Sequence, residues 1–163
     1  MKKWMTCSLC MIAGAGFGVI VAAGWKARYL VQTLEIKAEQ AEKYNELFQL
    51  LNHWVNVRQK GNTLIEYFEK RGYKNIAIYG MNFAGETLAK ELEGSSVCVK
   101  YGIDRDAKHI MADCQVVTPD DVCEKVDAIV VTPVYYFSEI ADLLEKKVSC
   151  PIISLEDIIY ESL

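Results

Sequence analysis

The chain has 163 residues, 52% of them hydrophobic, and a formal net charge of −4; this is enough apolar material for one packed domain with an appendage, and it excludes disorder as a global state. The charge is unevenly divided, because residues 1–73 hold 10 Lys and Arg against 6 Asp and Glu, whereas residues 74–163 hold 8 against 16. An acidic second part repels a polyanionic backbone, so nucleic-acid binding is not expected.

Residues 4–25, "WMTCSLCMIAGAGFGVIVAAGW", carry no charge over 22 positions, the length a helix needs to cross a hydrocarbon core of ~30 Å. Lys2 and Lys3 precede the stretch, Lys26 and Arg28 follow it, and Trp4 and Trp25 stand where interfacial aromatics anchor a span. These features predict a transmembrane anchor over residues 1–25. The competing reading is a cleaved secretory signal with a small-residue site at residues 21–24, but the apolar run exceeds the usual length of a signal core. Gly14 and Gly18 have the spacing that lets two spans approach closely, and glycine is also simply common in membrane helices. Basic residues on the carboxyl side favour a single-pass cell-membrane protein whose carboxyl-terminal domain is cytoplasmic. Cys98, Cys114, Cys123 and Cys150 show neither CxxC nor Cys/His spacing, which suits reduced thiols and gives no metal site.

Residues 26–60 are expected to form a helical stalk about 50 Å long at ~1.5 Å per residue. Apolar or small residues at Leu30, Leu34, Ala41, Tyr44, Phe48, Leu51 and Val55, with Lys37 in the one gap, step alternately by 4 and 3. That is the seam of a two-stranded coil or of a helix packed against a domain. The first alternative makes a homodimer through the stalk, and the second folds the helix back onto its own chain. Gly61 and Asn62 break the helix. Over residues 61–73 a short helix is expected, with Thr63-Leu-Ile-Glu66 in the form of a capping box and Gly72 as the C-terminal cap.

From residue 74 onward strand-like and helix-like stretches alternate: "NIAIYG", "GETLAKELEG", "VCVKYGID", "CQVV", "TPDDVCEK", "VDAIVVTP", "YYFSEIADLLEKK", "CPIIS" and "LEDIIYESL". Apolar strands without period-two alternation are covered on both faces, which means a parallel sheet with crossover helices. The expected fold is α/β, a Rossmann-like doubly wound parallel sheet of about five strands over residues 74–163, preceded by the transmembrane helix and the long helical stalk. Two segments, "VVTPDDV" and "IISLEDI", echo each other, and in each a hydroxyl is placed to cap a helix with acids in its first turn.

A dinucleotide fingerprint places Gly-x-Gly-x-x-Gly after a strand and an acid about 20 residues further on. Gly80 and Gly85 fill the first and third glycine positions, Asn82 stands at the second, and Asp104 follows 24 residues after Gly80 and 19 after Gly85. The expected cofactor-binding residues are therefore Gly80, Asn82, Gly85, Asp104 for a ribose, Arg105 for a phosphate, and Thr132 at the end of the fourth strand, with NAD(P) or a nucleotide-sugar as the ligand class. Asn82 narrows the place where a pyrophosphate would lie. Thr132-Pro133 reads equally as the start of a turn, and Asp104 with Asp106 as loop caps.

"IAIYGMNFAGETLAKEL", "VKYGIDRDA", "VDAIVVTP" and "CPIISLEDIIYE" resemble a Rossmann-like, nucleotide-sugar epimerase-like domain of gut Firmicutes that recurs with glycosyltransferases and surface-polysaccharide proteins, including short forms with an amino-terminal membrane helix. More distantly the stretch is similar to the carboxyl-terminal domain of sugar C-methyltransferases. The resemblance covers residues 47–163 and implies the fold, a cell-envelope setting and a glycosyltransferase or polysaccharide-synthesis partner, while supplying no reaction. Relatives commonly have glycine where this chain has Asn82.

A catalytic set is not legible. A Tyr-xxx-Lys pair is absent, because four residues beyond Tyr135 and Tyr136 stand Glu139 and Ile140, and neither His53 nor His109 has an evident catalytic partner. The expectation is an accessory nucleotide-binding protein of envelope polysaccharide synthesis without catalysis of its own. The alternative is a ligand-free interaction scaffold on a dimeric stalk.

Overall fold

The computed structural model describes residues 2–122 and 125–163, without the side chains of residues 2–24 and 27. Of the apolar stretch 4–25 only the helical backbone and Trp25 are described, so the side-chain contacts of its Gly14–Gly18 pair lie outside the described residues, as does Cys123. Among the described residues no helix is long and apolar enough to cross a membrane.

Helix α1, Lys2–Gln59, contains no proline and no glycine between Gly24 and Gly61, so its second half has no residue that would break the hydrogen-bond ladder. It stops where Gly61 takes φ +83° and the amides of Gly61 and Asn62 return to the carbonyls of Arg58 and Val57 at 3.0 and 3.2 Å, a left-handed glycine termination. The chain divides into two compact units, Met1–Tyr44 and Asn45–Leu163. The first consists of α1 alone. In the second, the last turns of α1 bury Leu50, Trp54 and Val57 in the domain core, whereas Phe48 and Val55 stay exposed. The end of α1 thus packs on its own domain through a face offset from the heptad seam.

Helix α2, Ile65–Arg71, ends as expected at Gly72 with φ +73°, whose amide returns to Phe68 and Glu69. The capping box expected at Thr63–Glu66 does not form. The helix is capped at Leu64 without a side-chain bond; the Leu64 amide donates to Glu91 Oε1 at 2.9 Å, while Glu66 faces outward toward Lys70 at 3.6 Å. The helix starts one residue later than the box requires, and a largely buried carboxylate from another helix holds the Leu64 amide, a charge-assisted bond.

Five strands, β1 (Asn75–Tyr79), β2 (Cys98–Ile103), β3 (Val116–Val117), β4 (Ala128–Val131) and β5 (Ile152–Ser154), form one parallel sheet in the order β3-β2-β1-β4-β5. The α/β class and the strand number agree with the expectation and with a Rossmann-like fold. The strands read as unbroken apolar runs because both faces are covered. On one face Ile76, Ile78, Ala128 and Val130 pack with α2, α3 (Phe83–Leu92), α5 (Leu155–Ser162) and the end of α1. On the other, Ala77, Tyr79, Ile129 and Val131 pack with Ile140 and Leu144 of α4 (Phe137–Leu144).

Of the two echoed segments only the second caps a helix, Ser154 Oγ accepting the Glu156 amide at 3.2 Å at the start of α5. The helix expected in "TPDDVCEK" is absent over its described residues. There the Thr118 hydroxyl donates to the Asp121 carboxylate at 2.7 Å instead of accepting an amide, and Lys147 Nζ holds the Pro119 carbonyl and Asp120 carboxylate at 2.8 and 2.6 Å. With the hydroxyl turned toward Asp121 and the segment tied to Lys147 just past α4, the described backbone stays a turn.

Candidate functional site

Strand order reverses between β1 and β4, so the carboxyl ends of β1, β4 and β2 frame the crevice where open parallel sheets bind ligands. β1 runs into Gly80, which has φ +89° and lies so close to β4 that a Cβ would stand 2.6 Å from Pro133 Cδ and 2.8 Å from Thr132 Oγ1. Glycine is required there for both conformation and space. A Cβ on Gly85 would collide with the Gly80 carbonyl oxygen. This is the close helix–strand contact for which the fingerprint reserves its last glycine.

Asn82 is the N-cap of α3, at φ −94° and ψ −166°, with its side-chain oxygen accepting the Ala84 amide at 3.1 Å. The side chain folds over the helix start, and the left-handed conformation that asparagine tolerates is not used. Its own carbonyl accepts the Glu86 amide at 2.8 Å. One of the amides that an anion could use is thereby already satisfied.

Asp104 sits half-buried just past β2. One carboxylate oxygen accepts the Met81 amide at 3.1 Å, inside the glycine turn, and the other accepts the Asp106 amide at 2.9 Å. The acid and the glycines, 24 residues apart in sequence at their extremes, therefore share one hydrogen-bonded corner. A carboxylate offers about four lone-pair positions, so two bonds leave capacity for the hydroxyls of a ribose. Arg105 follows in the exposed turn of residues 105–109. In the same turn His109 Nδ1 lies 2.5 Å from the Asp106 carboxylate, and hydrogen bonding to that carboxylate, with its charge, raises the His109 pKa above the ordinary value.

Thr132 is turned inward. It is buried, its hydroxyl donates to the Gly80 carbonyl at 2.6 Å, and its amide donates to the Tyr79 carbonyl at 3.0 Å. It welds β4 to the glycine turn, and Pro133 is the residue that presents a surface over Gly80. Of the expected residues the fold gathers Gly80, Asn82, Gly85, Asp104 and Thr132 at one corner and leaves Arg105 at its margin.

Three aromatic side chains at this end of the sheet were not singled out from sequence as site residues. Phe83, the first residue of α3, is 80% exposed, and Tyr135 and Tyr136, just after β4, are partly exposed with their rings edge to face at 5.1 Å. Their signal was their position, each lying within a few residues of a glycine turn or strand end where a polar residue would be ordinary. A separate groove of about 510 Å³ runs from Met81 along the far end of α3 to Met111 and Cys114, where the β2–β3 crossover contributes no helix among the described residues. Comparison with protein-family models, curated proteins and solved structures found no match to the chain.

Proposed function

We propose that the chain is a membrane-anchored Rossmann-like protein that binds a nucleotide or nucleotide-sugar in the crevice at the ends of β1, β2 and β4, as an accessory to envelope polysaccharide synthesis. The observation that carries the reading is the Asp104 carboxylate hydrogen-bonded to Met81 within the Gly80–Gly85 turn. A ribose seated at that turn would meet a half-satisfied acceptor with lone pairs to spare. The uncharged stretch of residues 4–25 supports the anchor, and the resemblance to domains that accompany glycosyltransferases supports the envelope setting. Catalysis of its own is not part of the proposal, since among the described residues no acid, base or nucleophile is paired at the corner in the way a reaction requires.

Calorimetry and thermal shift of the full chain against NAD(H), NADP(H) and UDP-sugars test the reading, with Asn82→Gly alongside the parent. Removing the Asn82 side chain frees the Ala84 amide at a cost of only a few tenths of a kcal/mol of capping. Several-fold tighter binding by Asn82→Gly is expected. Saturable binding by neither protein overturns the proposal.

One set of contacts favours a second reading, a protein-interaction scaffold. Asn82 and Thr132 turn their side chains to the backbone, two of the Asp104 acceptor positions are taken within the chain, and Pro133 lies on Gly80. Co-purification of a stable partner from membranes, together with no nucleotide affinity in either protein, would establish it.

A further inference from the structure

We propose that two copies of this chain pair in parallel through α1, along the heptad stripe that runs from Leu30 to Val55. The described residues of the first unit form one stretch of helix and no other element, and a lone helix in water is marginal. The stripe is nonetheless largely apolar and exposed: Leu34 is 66% and Tyr44 73% exposed in the first unit, and Phe48 70% in the second. The domain core takes α1 by Leu50, Trp54 and Val57; of the stripe it draws in Leu51 and leaves Phe48 and Val55 exposed. The helix therefore carries one apolar face that its own fold covers and a second that it leaves uncovered.

The pattern itself selects the occupant. An alternating 4-3 step maintained from Leu30 to Val55 is a 3.5-residue period, which stays in register only with a supercoiled partner of the same period. A second copy supplies that period and makes an isologous interface. The positions flanking the stripe, from Val31 and Thr33 down to Asn45 and Asn52, are uncharged, and Glu35, Glu39, Glu42 and Glu46 lie away from it. Identical helices thus meet without like charges along their edges, apart from one residue. Lys37 occupies a core position and faces its twin, so its ammonium must reach out to solvent and the pair is weakened. The parallel sense rests on the membrane anchor proposed above, which sends both copies away from one bilayer surface. Pairing does not depend on nucleotide binding, so the two readings can fail separately.

Oxidative cross-linking of the full chain in liposomes tests the pairing, with the parent and its native cysteines as background. Leu34→Cys, on the stripe, should give several-fold more covalent dimer than Glu35→Cys, one residue off it. Phe48→Glu in the Leu34→Cys chain should abolish the excess, and because Phe48 is exposed the domain's circular dichroism and melting should not change. Lys37→Leu should strengthen the dimer. No excess for Leu34→Cys over Glu35→Cys, or an excess insensitive to Phe48→Glu, overturns the proposal. Cross-linking between Leu30→Cys and Val55→Cys chains in place of Leu34→Cys overturns it in favour of an antiparallel pair.

Discussion

Glu91 shows how one side chain can hold three helices. From α3 it accepts the Trp54 indole of α1 at 2.6 Å and the Leu64 amide at the start of α2 at 2.9 Å, with its side chain only 10% exposed. Arg58 stands 3.6 Å away but is half exposed, so its share is small. Glu91→Ala leaves an indole and an amide without their acceptor, and the expected loss is roughly 2–4 kcal/mol, read from urea unfolding of the full chain. Glu91→Gln, which keeps one acceptor oxygen, should cost less. In the exposed turn beyond Asp104, the Asp106 carboxylate raises the His109 pKa by a hydrogen bond and by its charge. A raised folded pKa means that this pair adds stability below the unfolded histidine pKa, and that the addition is lost as pH rises through the folded value. NMR titration should place the His109 midpoint above that of Asp106→Asn, in which it falls back toward the ordinary value. Equal midpoints in the two proteins would show that the pair does not form in solution.

Among elements, α1 is where periodicity alone was ambiguous. The 4-3 stripe was legible, and so was the choice between a coil and a packed helix, but the face that enters the core lies beside the stripe, at Leu50, Trp54 and Val57. Phe48 and Trp54 are both large aromatics on one helix, and only the fold separates them. Trp54→Ala should cost about 3–5 kcal/mol through the cavity it opens and the Glu91 bond it removes. Phe48→Ala should stay within about 0.5 kcal/mol in the same denaturation measurement. Equal effects would mean that the core does not take α1 by this face. The sheet was far more readable, since five apolar runs bounded by glycine, proline and polar residues became five parallel strands. Capping was the least readable feature. The α2 start is held at the Leu64 amide by Glu91, 27 residues away, and Thr118 turns its hydroxyl to Asp121. Both outcomes depend on tertiary partners that no local pattern contains.

At the scale of the molecule the gathering of Gly80, Gly85 and Asp104 at one corner was legible because its logic is local spacing: glycines at fixed offsets after a strand and an acid one strand later. The inward turn of Thr132 was not legible, for the complementary reason. A hydroxyl at a strand end looks available until the neighbouring strand brings two carbonyls, of Tyr79 and Gly80, within its reach. The charge distribution bears on what such a site can hold. Residues 74–163 carry 16 acids against 8 bases, a field that opposes an anionic ligand over distances of about a Debye length, roughly 30 Å at 0.01 M salt and 8 Å at 0.15 M. If the nucleotide is held mainly by ribose hydroxyls on Asp104 and by stacking, raising the ionic strength screens this repulsion and affinity should rise or stay level. If instead Arg105 holds a phosphate as the dominant contact, the same salt should weaken binding, because it competes with an exposed ion pair. Titrating the ligand by calorimetry at low and at physiological salt separates the two cases. A steep loss of affinity with salt would shift the recognition from Asp104 to Arg105, and Arg105→Gln should then remove most of that salt dependence.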